Sequence, residues 1–270
     1  MELFYRKYGE GVPLIIVHGL YGASDNWVSI GRQLAKHYEV FIVDQRNHGR
    51  SPHSSGHTYN LMVEDLYEFI DVHDIEKAIL LGHSMGGKTV MQFAKKYPEK
   101  VDALIVLDIA PKSYVQAAKK QKTDNRKGQI GHYAILKAMK SVDFSLMKNR
   151  KDVDAELVST ISDLRVRQFL LKNIHRAKDN SLSWRINVDA LYRNLDEIME
   201  GEIDAGFEQI IGFPVLFVRG ADSSYIQNSD IEQIKQIFPY AELETIDDAG
   251  HWLHAEQPDK LVSLIVDFLS

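Results

Sequence analysis

The chain has 270 residues, of which 44% are hydrophobic and 26% charged, as is usual for a globular protein made of one large domain or of a core with an insertion. It contains no cysteine, which excludes disulfides, thiolate metal sites and a cysteine nucleophile, and its net charge of −6 gives no reason to expect nucleic-acid binding. No apolar run approaches the roughly 18–20 residues of a membrane span, and the first residues lack the apolar segment of a signal peptide. We therefore expect a cytoplasmic protein without stable membrane insertion.

Short apolar runs alternate with amphipathic stretches over the first hundred or so residues. The apolar runs predict buried strands, and the stretches between them predict helices at Asn26–His37, Asn60–Val72 and Met85–Lys96. The pattern resumes near residue 213 and adds helices near Asp230–Phe238 and Pro258–Leu269. The predicted strands are Val12–Val17, Val40–Val43, Ala78–Leu81, Ala103–Leu107, Val215–Val218 and Ala241–Ile246. Such alternation is typical of βαβ units, so the predicted fold class is α/β, with a mostly parallel, doubly wound sheet covered on both faces.

The middle of the chain follows a different pattern. Residues 111–212 contain no convincing buried strand but do contain amphipathic stretches, among them Tyr133–Met147 and Leu157–Asn173. A crossover between parallel strands needs only about a dozen residues. We interpret residues 111–212 as a helical lid, inserted into a core made of residues 1–110 and 213–270. Insertions of this kind gather at the carboxyl ends of the strands, where ligands also bind.

The predicted lid is basic in its first two thirds. Residues 111–178 hold 16 Lys and Arg but only 6 Asp and Glu. Solvated helix faces account for such charge without any functional role. The alternative is a basic rim that attracts anionic substrates or an anionic membrane surface.

The segment Gly82–Gly87, with the sequence GHSMGG, joins the predicted strand Ala78–Leu81 directly to the predicted helix after it. A G-x-S-x-G motif at such a junction resembles the nucleophile elbow of α/β-hydrolases. Glycines flank the serine because side chains two positions away on either side would clash in the strained turn. The motif predicts that Ser84 is a nucleophile at a helix N-terminus, where the dipole stabilises negative charge.

A serine hydroxyl needs a general base. In the chain order of α/β-hydrolases the histidine comes last, after the final strand. His251 follows the last predicted strand and is therefore the candidate base. His254 could in principle join it in a metal site, but no third ligand has suitable spacing, so we expect no metal.

The developing oxyanion needs two backbone N–H donors. One is predicted to come from Met85, the residue after the nucleophile. The other is predicted to come from Leu20, in the loop after the first buried strand, where a His-Gly pair turns the chain.

Two aspartates fit the order Ser…Asp…His for the acid of the triad. Asp222 follows the strand Val215–Val218, and Asp108 ends the strand after the nucleophile helix. Both strand ends are expected near the histidine loop, and either carboxylate could fix the imidazole tautomer. The residues alone leave both candidates open.

Together these motifs resemble the YbfF-like esterases, small α/β-hydrolases related to the mitochondrial abhydrolase group. The segments that carry the resemblance are His18–Gly22, Asp44–Ser51, Gly82–Lys88, Asp108–Pro111 and Gly250–His254, with Ser183–Val188 in the predicted lid. The resemblance implies an α/β-hydrolase fold and assigns the acid to Asp108. The chain has Asp222 where relatives often have Asn or Lys. Because of this departure, Asp222 remains a second candidate for the acid of the triad.

The resemblance implies a serine hydrolase without cofactor or metal, acting on carboxylic esters, or on thioesters, of short to medium acyl chains. The expected partner is a small-molecule ester, and a monomer is the default. Two alternatives remain: a carbon–carbon hydrolase or lyase of the same fold acting on an anionic metabolite, and a slow-turnover ligand receptor.

Several side chains are candidates for the substrate pocket. Trp252 lies beside the base, Trp184 lies in the predicted lid, and Ser223 follows Asp222 and is expected to assist the histidine. Further candidates in the lid share large apolar side chains: Met139, Phe144, Met147, Phe169 and Leu170. Packing of the lid on the core explains their helical spacing equally well.

Overall fold

A computed structural model of the protein describes residues 1–115, 131–203 and 208–270. The strands are β1 (Tyr5–Tyr8), β2 (Pro13–Val17), β3 (Glu39–Val43), β4 (Ala78–His83), β5 (Val101–Leu107), β6 (Ile174–Arg176), β7 (Leu182–Trp184), β8 (Val215–Gly220) and β9 (Glu242–Ile246). The α-helices are α1 (Val28–Leu34), α2 (Tyr59–Val72), α3 (Met85–Lys96), α4 (His132–Ser141), α5 (Arg150–Leu157), α6 (Leu164–Leu171), α7 (Val188–Arg193), α8 (Leu195–Glu200), α9 (Ile231–Ile237), α10 (Leu253–Glu256) and α11 (Pro258–Phe268).

Seven strands form the central sheet in the order β1-β3-β2-β4-β5-β8-β9. Strand β1 pairs antiparallel with β3, and the remaining neighbours are parallel. The predicted parallel, doubly wound α/β sheet is confirmed, and each predicted strand is present with bounds shifted by one or two residues. Strand β1 was not predicted, because its exposed, basic sequence YRKY lacks the apolar run of a buried strand.

Both faces of the sheet are covered by helices. Along β2, Ile15 and Val17 pack in a cluster with residues of α2, α3 and α9, whereas Leu14 and Ile16 pack in a cluster with residues of α1 and α11. Successive side chains of a strand point to opposite faces, and here both faces are buried. This explains why β2 has a continuous apolar sequence rather than an alternating one.

The described part of the segment between β5 and β8 is mainly helical and has its own hydrophobic cluster. In the amphipathic stretch Leu157–Asn173, predicted to be helical, only α6 is present after Leu157, the last residue of α5. Helix α6 begins after Asp163, whose side chain accepts hydrogen bonds from two backbone N–H groups. The hairpin of β6 and β7 was not predicted, since strands of three residues are too short to show a period. Across the described residues, no helix combines the length and the apolar character needed to cross a bilayer.

Lys88, on α3, connects the core to both described ends of this segment. Its buried ammonium donates hydrogen bonds to the carbonyl oxygens of Lys112, just after β5, and of Gly201, just after α8. Burial lowers the pKa of Lys88 to about 7. The side chain therefore satisfies two carbonyl groups that belong to opposite ends of the inserted segment.

We expect Lys88→Met to lower the free energy of unfolding by about 1–3 kcal/mol, because the two carbonyls lose their donor. Chemical denaturation would measure the loss. Lys96→Met is the matched control: Lys96 lies on the same helix, but its side chain is 53% exposed and pairs with Glu64 at the surface. The control should change stability by no more than about 1 kcal/mol. Equal stability of the two variants would contradict this role for Lys88.

Candidate active site

Ser84 lies at the sharp turn between β4 and α3. Its backbone has φ 53° and ψ −118°, a strained conformation for a residue with a side chain. The turn is held by the Ser84 N–H, which donates to the Leu107 carbonyl over 3.0 Å. A Cβ atom at Gly82 would lie 2.4 Å from the Gly86 carbonyl oxygen, and one at Gly86 would lie 2.2 Å from that of Val17. The two glycines therefore allow the close packing that this turn requires.

Ser84, His251 and Asp108 form a continuous series of hydrogen bonds. His251 Nε2 lies 3.0 Å from Ser84 Oγ, and His251 Nδ1 lies 2.8 Å from Asp108 Oδ2. The three residues come from the ends of β4 and β5 and from the loop after β9, which the parallel sheet brings together at one edge. This arrangement can transfer a proton from the serine hydroxyl to an imidazole whose tautomer is fixed.

The Asp108 carboxylate is fully buried and accepts two further hydrogen bonds. The Gly220 N–H donates to Oδ1 over 3.3 Å, and the Ser223 hydroxyl donates to Oδ2, the oxygen that also contacts His251. A buried carboxylate needs such partners to remain charged. Ser223 thus supports the carboxylate rather than contacting the imidazole.

Asp222, the second candidate acid, is in a different position. Its side chain is exposed, and its backbone N–H donates to the Ala249 carbonyl over 2.9 Å. Within the described residues, no hydrogen bond or ion pair joins its carboxylate to His251. The geometry therefore favours Asp108.

Two side chains that contact His251 were not identified in the sequence. The ring of Tyr225 stacks on the imidazole, with ring centroids 3.9 Å apart and planes 16° apart. His83 Nε2 lies 2.7 Å from the His251 carbonyl oxygen. Burial, together with the neighbouring histidines, holds the pKa of His83 well below its usual value, so His83 stays neutral and can donate this hydrogen bond.

A cavity of about 640 Å³ opens at Ser84 and His251. Of the pocket residues predicted in the sequence, Trp252, Phe169 and Leu170 line it. Trp184 does not line it: its indole N–H donates to the Met139 carbonyl over 2.9 Å, and its ring packs against Phe144. Packing within the inserted segment therefore explains the position of Trp184. The other predicted pocket residues are also absent from the described lining, namely Ser223, Met139, Phe144 and Met147.

The described lining of the cavity is apolar on one side and carries little net charge. Ile135, Val166 and Phe169 contribute apolar surface from the inserted segment. Among the described lining residues, Lys112 is the only Lys or Arg, and its ammonium lies 2.6 Å from an Asp230 carboxylate oxygen. His132 also lines the cavity, and burial lowers its pKa to about 4, so it is neutral at pH 7.

The loop after β2 passes close to Ser84. Leu20 lines the cavity, and Met85 is the first residue of α3, where a backbone N–H has no acceptor within the helix. Tyr21, next to Leu20, has φ 63°, which is unusual for a bulky residue. Its N–H donates to His48 Nε2 over 3.3 Å, and its carbonyl accepts from the Asn173 amide over 2.8 Å. The inserted segment, through Asn173, therefore holds this loop in its strained conformation.

His251 and His254 do not form part of a metal site in the described structure. Over the ranges described, no group of three or more His, Cys, Asp or Glu side chains is arranged to hold a metal ion. His254 instead stacks on Trp27, with ring centroids 4.2 Å apart, and burial lowers its pKa to about 3.

Comparison with known proteins gives the following similarities. A family model described as alpha/beta hydrolase fold matches residues 12–258. The esterase YbfF of Escherichia coli is 33% identical, over 96% of this chain and 93% of its own length. An sn-1-specific diacylglycerol lipase, ABHD11 of Danio rerio, is 35% identical over 97% of this chain and 79% of its own. The solved structure of a marine microorganism esterase is 46% identical, with a TM-score of 0.91 and coverage of 99% of each chain.

Proposed function

This chain belongs to the α/β-hydrolase family and is a carboxylic ester hydrolase, and we propose that it cleaves neutral esters of short to medium acyl chains through an acyl-enzyme on Ser84. One observation carries the assignment of residues: the hydrogen-bond series from Asp108 through His251 to Ser84 opens on the cavity. Thioesters undergo the same acyl transfer and are included in the proposal.

The proposed reaction has two steps. His251 Nε2 takes the proton of Ser84 as Oγ attacks the ester carbonyl, while Asp108 holds the Nδ1 proton and stabilises the imidazolium. The imidazolium then gives its proton to the leaving alcohol, which departs and leaves the acyl group on Ser84. In the second step His251 takes a proton from water as the water oxygen attacks the acyl carbonyl. The bond between the acyl group and Ser84 Oγ then breaks, the imidazolium returns its proton to Oγ, and the acid is released.

The oxyanion of each tetrahedral intermediate needs donors that are already in place. We assign them to the backbone N–H groups of Leu20 and Met85. The N-terminal position of Met85 on α3 supports its part, since that N–H has no helical acceptor and the helix dipole favours negative charge. The contacts of Tyr21 with His48 and Asn173 support the role of Leu20 as a donor. These hydrogen bonds hold the N–H and the carbonyl of Tyr21, the residue directly after Leu20.

The cavity supports the choice of a neutral ester. Its volume of about 640 Å³ suits a small molecule, and its described apolar side suits an acyl chain. The one lining cation in the described structure, Lys112, is neutralised by Asp230 and offers no free charge to an anionic metabolite. The name of the zebrafish relative, a diacylglycerol lipase, also describes an enzyme of neutral esters. These observations favour an esterase over a hydrolase or lyase of anionic substrates.

We further propose that residues 111–212 act as a cap on a core of residues 1–110 and 213–270. Ile135, Val166 and Phe169, from this segment, line the cavity together with Ser84 and His251 of the core. Substrate selection by acyl length would then depend on the cap, and the chemistry would depend on the core.

Hydrolysis of p-nitrophenyl esters from acetyl to dodecanoyl should peak at short or medium chains, because the cavity of about 640 Å³ has the size of a small-molecule site. Ser84→Ala should reduce kcat by at least about 10⁴-fold without unfolding the protein. A p-nitrophenyl ester that carries a terminal carboxylate should be cleaved at least about tenfold less efficiently than its neutral analogue. A preference for the anionic ester, or turnover that survives in Ser84→Ala, would contradict the proposal, and a single stoichiometric turnover would indicate a receptor.

The two aspartates can be separated by matched amide variants. Asp108→Asn should reduce kcat on the order of 10⁴-fold, because the amide favours the wrong imidazole tautomer. Asp222→Asn should leave kcat within about tenfold of wild type, since Asp222 is exposed and makes no described contact with His251. Steady-state kinetics on the best ester of the series would measure kcat for both variants. The reverse order of effects would assign the acid to Asp222.

Asn173→Ala should reduce kcat about tenfold with little change in KM. The variant removes the hydrogen bond to the Tyr21 carbonyl, and a displaced oxyanion donor weakens binding of the transition state more than of the substrate. Gln168→Ala, at an exposed position of α6, is the control and should behave as wild type. A normal kcat in Asn173→Ala would show that the loop holds its conformation without the cap.

A further inference from the structure

We propose that Tyr225 is a positioning residue that holds the imidazole of His251 by ring stacking and stabilises its charged form during acyl transfer. The inference rests on the proposed function, because it concerns the base of that reaction. The observation that carries it is the near-parallel stack of the two rings, with centroids 3.9 Å apart and planes 16° apart.

The backbone of Tyr225 is fixed on both sides. Its carbonyl accepts a hydrogen bond from the Tyr114 hydroxyl over 2.6 Å, and its N–H donates to Ser223 Oγ over 3.2 Å. Ser223 in turn donates to Asp108. The Tyr114 hydroxyl also accepts from the Ala110 N–H over 2.9 Å, two residues after Asp108. The ring and the carboxylate that hold His251 therefore belong to one hydrogen-bonded unit.

The stack restrains a motion that the hydrogen bonds leave free. Asp108 and Ser84 contact the two nitrogen atoms at the edge of the imidazole, so they fix its rotation within the ring plane better than its tilt out of the plane. An aromatic face at 3.9 Å blocks that tilt on one side. Loss of the ring should therefore widen the range of distances between His251 Nε2 and Ser84 Oγ.

The stack also has an electrostatic consequence. The face of a phenol ring is negative, so it attracts a cation that lies over it. Since His251 becomes an imidazolium only as the reaction proceeds, this attraction stabilises the transition state more than the ground state. Burial raises the pKa of Tyr225 to about 12, with a further contribution from Asp108, so the phenol is neutral when His251 is charged.

Within residues 1–115, 131–203 and 208–270, the other titratable groups that interact with His251 are Asp108, His83, His132 and His254. His83 and His254 are buried and His132 is partly buried, and loss of solvent lowers the pKa of each, so all three are neutral near pH 7. The ring of His83 is tilted by 40° at 4.7 Å from that of His251, which is not a parallel stack. Asp108 acts at the imidazole edge, and Tyr225 provides the aromatic face.

The experiment compares Tyr225→Phe, which keeps the aromatic face, with Tyr225→Leu, which keeps much of the bulk but has no π face. Tyr225→Phe should match wild type in kcat and in the apparent pKa of the acid limb of kcat/KM. Tyr225→Leu should lower kcat about 3- to 30-fold with KM nearly unchanged, and should lower that apparent pKa by up to about one pH unit. Circular dichroism and thermal melting would check that both variants fold.

A second readout does not require turnover. The titration of His251 can be followed by NMR in protein with ¹³C-labelled histidine, assigned by comparison with His251→Gln. The inference requires a lower His251 pKa in Tyr225→Leu and an unchanged one in Tyr225→Phe. An unchanged His251 pKa in folded Tyr225→Leu, or a rise in KM alone, would overturn it and leave Tyr225 as a wall of the pocket.

The two readouts separate failure of this inference from failure of the proposed function. If wild type shows Ser84-dependent turnover but Tyr225→Leu is normal in kinetics and in titration, only the role of Tyr225 is wrong. If wild type shows no turnover, the proposed function is wrong, and the NMR titration still decides whether the ring stabilises the charged imidazole.

Discussion

The active site depends on one buried carboxylate. Asp108 is fully buried at the end of β5, where it contacts His251 directly and is linked through Ser223 to Tyr225, whose ring stacks on the imidazole. It accepts from His251 and Ser223 at Oδ2 and from the Gly220 N–H at Oδ1. A carboxylate in such a place is costly to bury unless its lone pairs are satisfied. The ends of β5 and β8 must therefore stay in register for the charge to be tolerated, which makes the central sheet a direct part of the catalytic geometry.

Backbone strain is concentrated where the side chains of the site are presented. Ser84, Asp108 and Tyr21 all have positive φ, near 53°, 48° and 63°, although none is glycine. Each conformation is held by contacts outside the residue itself: the Leu107 carbonyl for Ser84, the Val218 carbonyl for Asp108, and His48 with Asn173 for Tyr21. Such conformations persist when their surroundings determine them, and they keep the site arranged before a substrate arrives.

The limits of sequence-based prediction follow from the same geometry. Buried parallel strands have continuous apolar sequences, and a G-x-S-x-G motif at a strand end has few structural alternatives, so the sheet and the candidate roles of Ser84 and His251 could be predicted. The residues alone could not separate the two candidate acids, because Asp108 and Asp222 follow neighbouring strands and their order in the chain is equally suitable; only the resemblance to the YbfF-like esterases favoured Asp108. Loop conformation separates them: Ser223 points to the carboxylate, and Asp222 points to solvent. Tyr225 carries no motif, and only the folded loop brings its ring to the imidazole.

The inserted segment has the fewest motifs and nevertheless reaches into the site at three places. Asn173 holds the loop that carries the proposed oxyanion donor. The carbonyls of Lys112 and Gly201 accept hydrogen bonds from Lys88, which lies on the helix after Ser84. Phe169 packs beside Trp252, next to the proposed base. A cap that only covered the cavity would not need contacts with the nucleophile helix and the oxyanion loop. The contacts of Asn173 and Lys88 are made with the loop and the helix that carry the proposed catalytic groups. We therefore expect changes in the proposed cap to alter the positions of these groups as well as the shape of the pocket. Under the proposed function, we therefore expect acyl-chain preference and turnover rate to be coupled. A substitution in the proposed cap that widens the pocket should also change the turnover rate unless it spares Asn173 and the two carbonyls bound by Lys88.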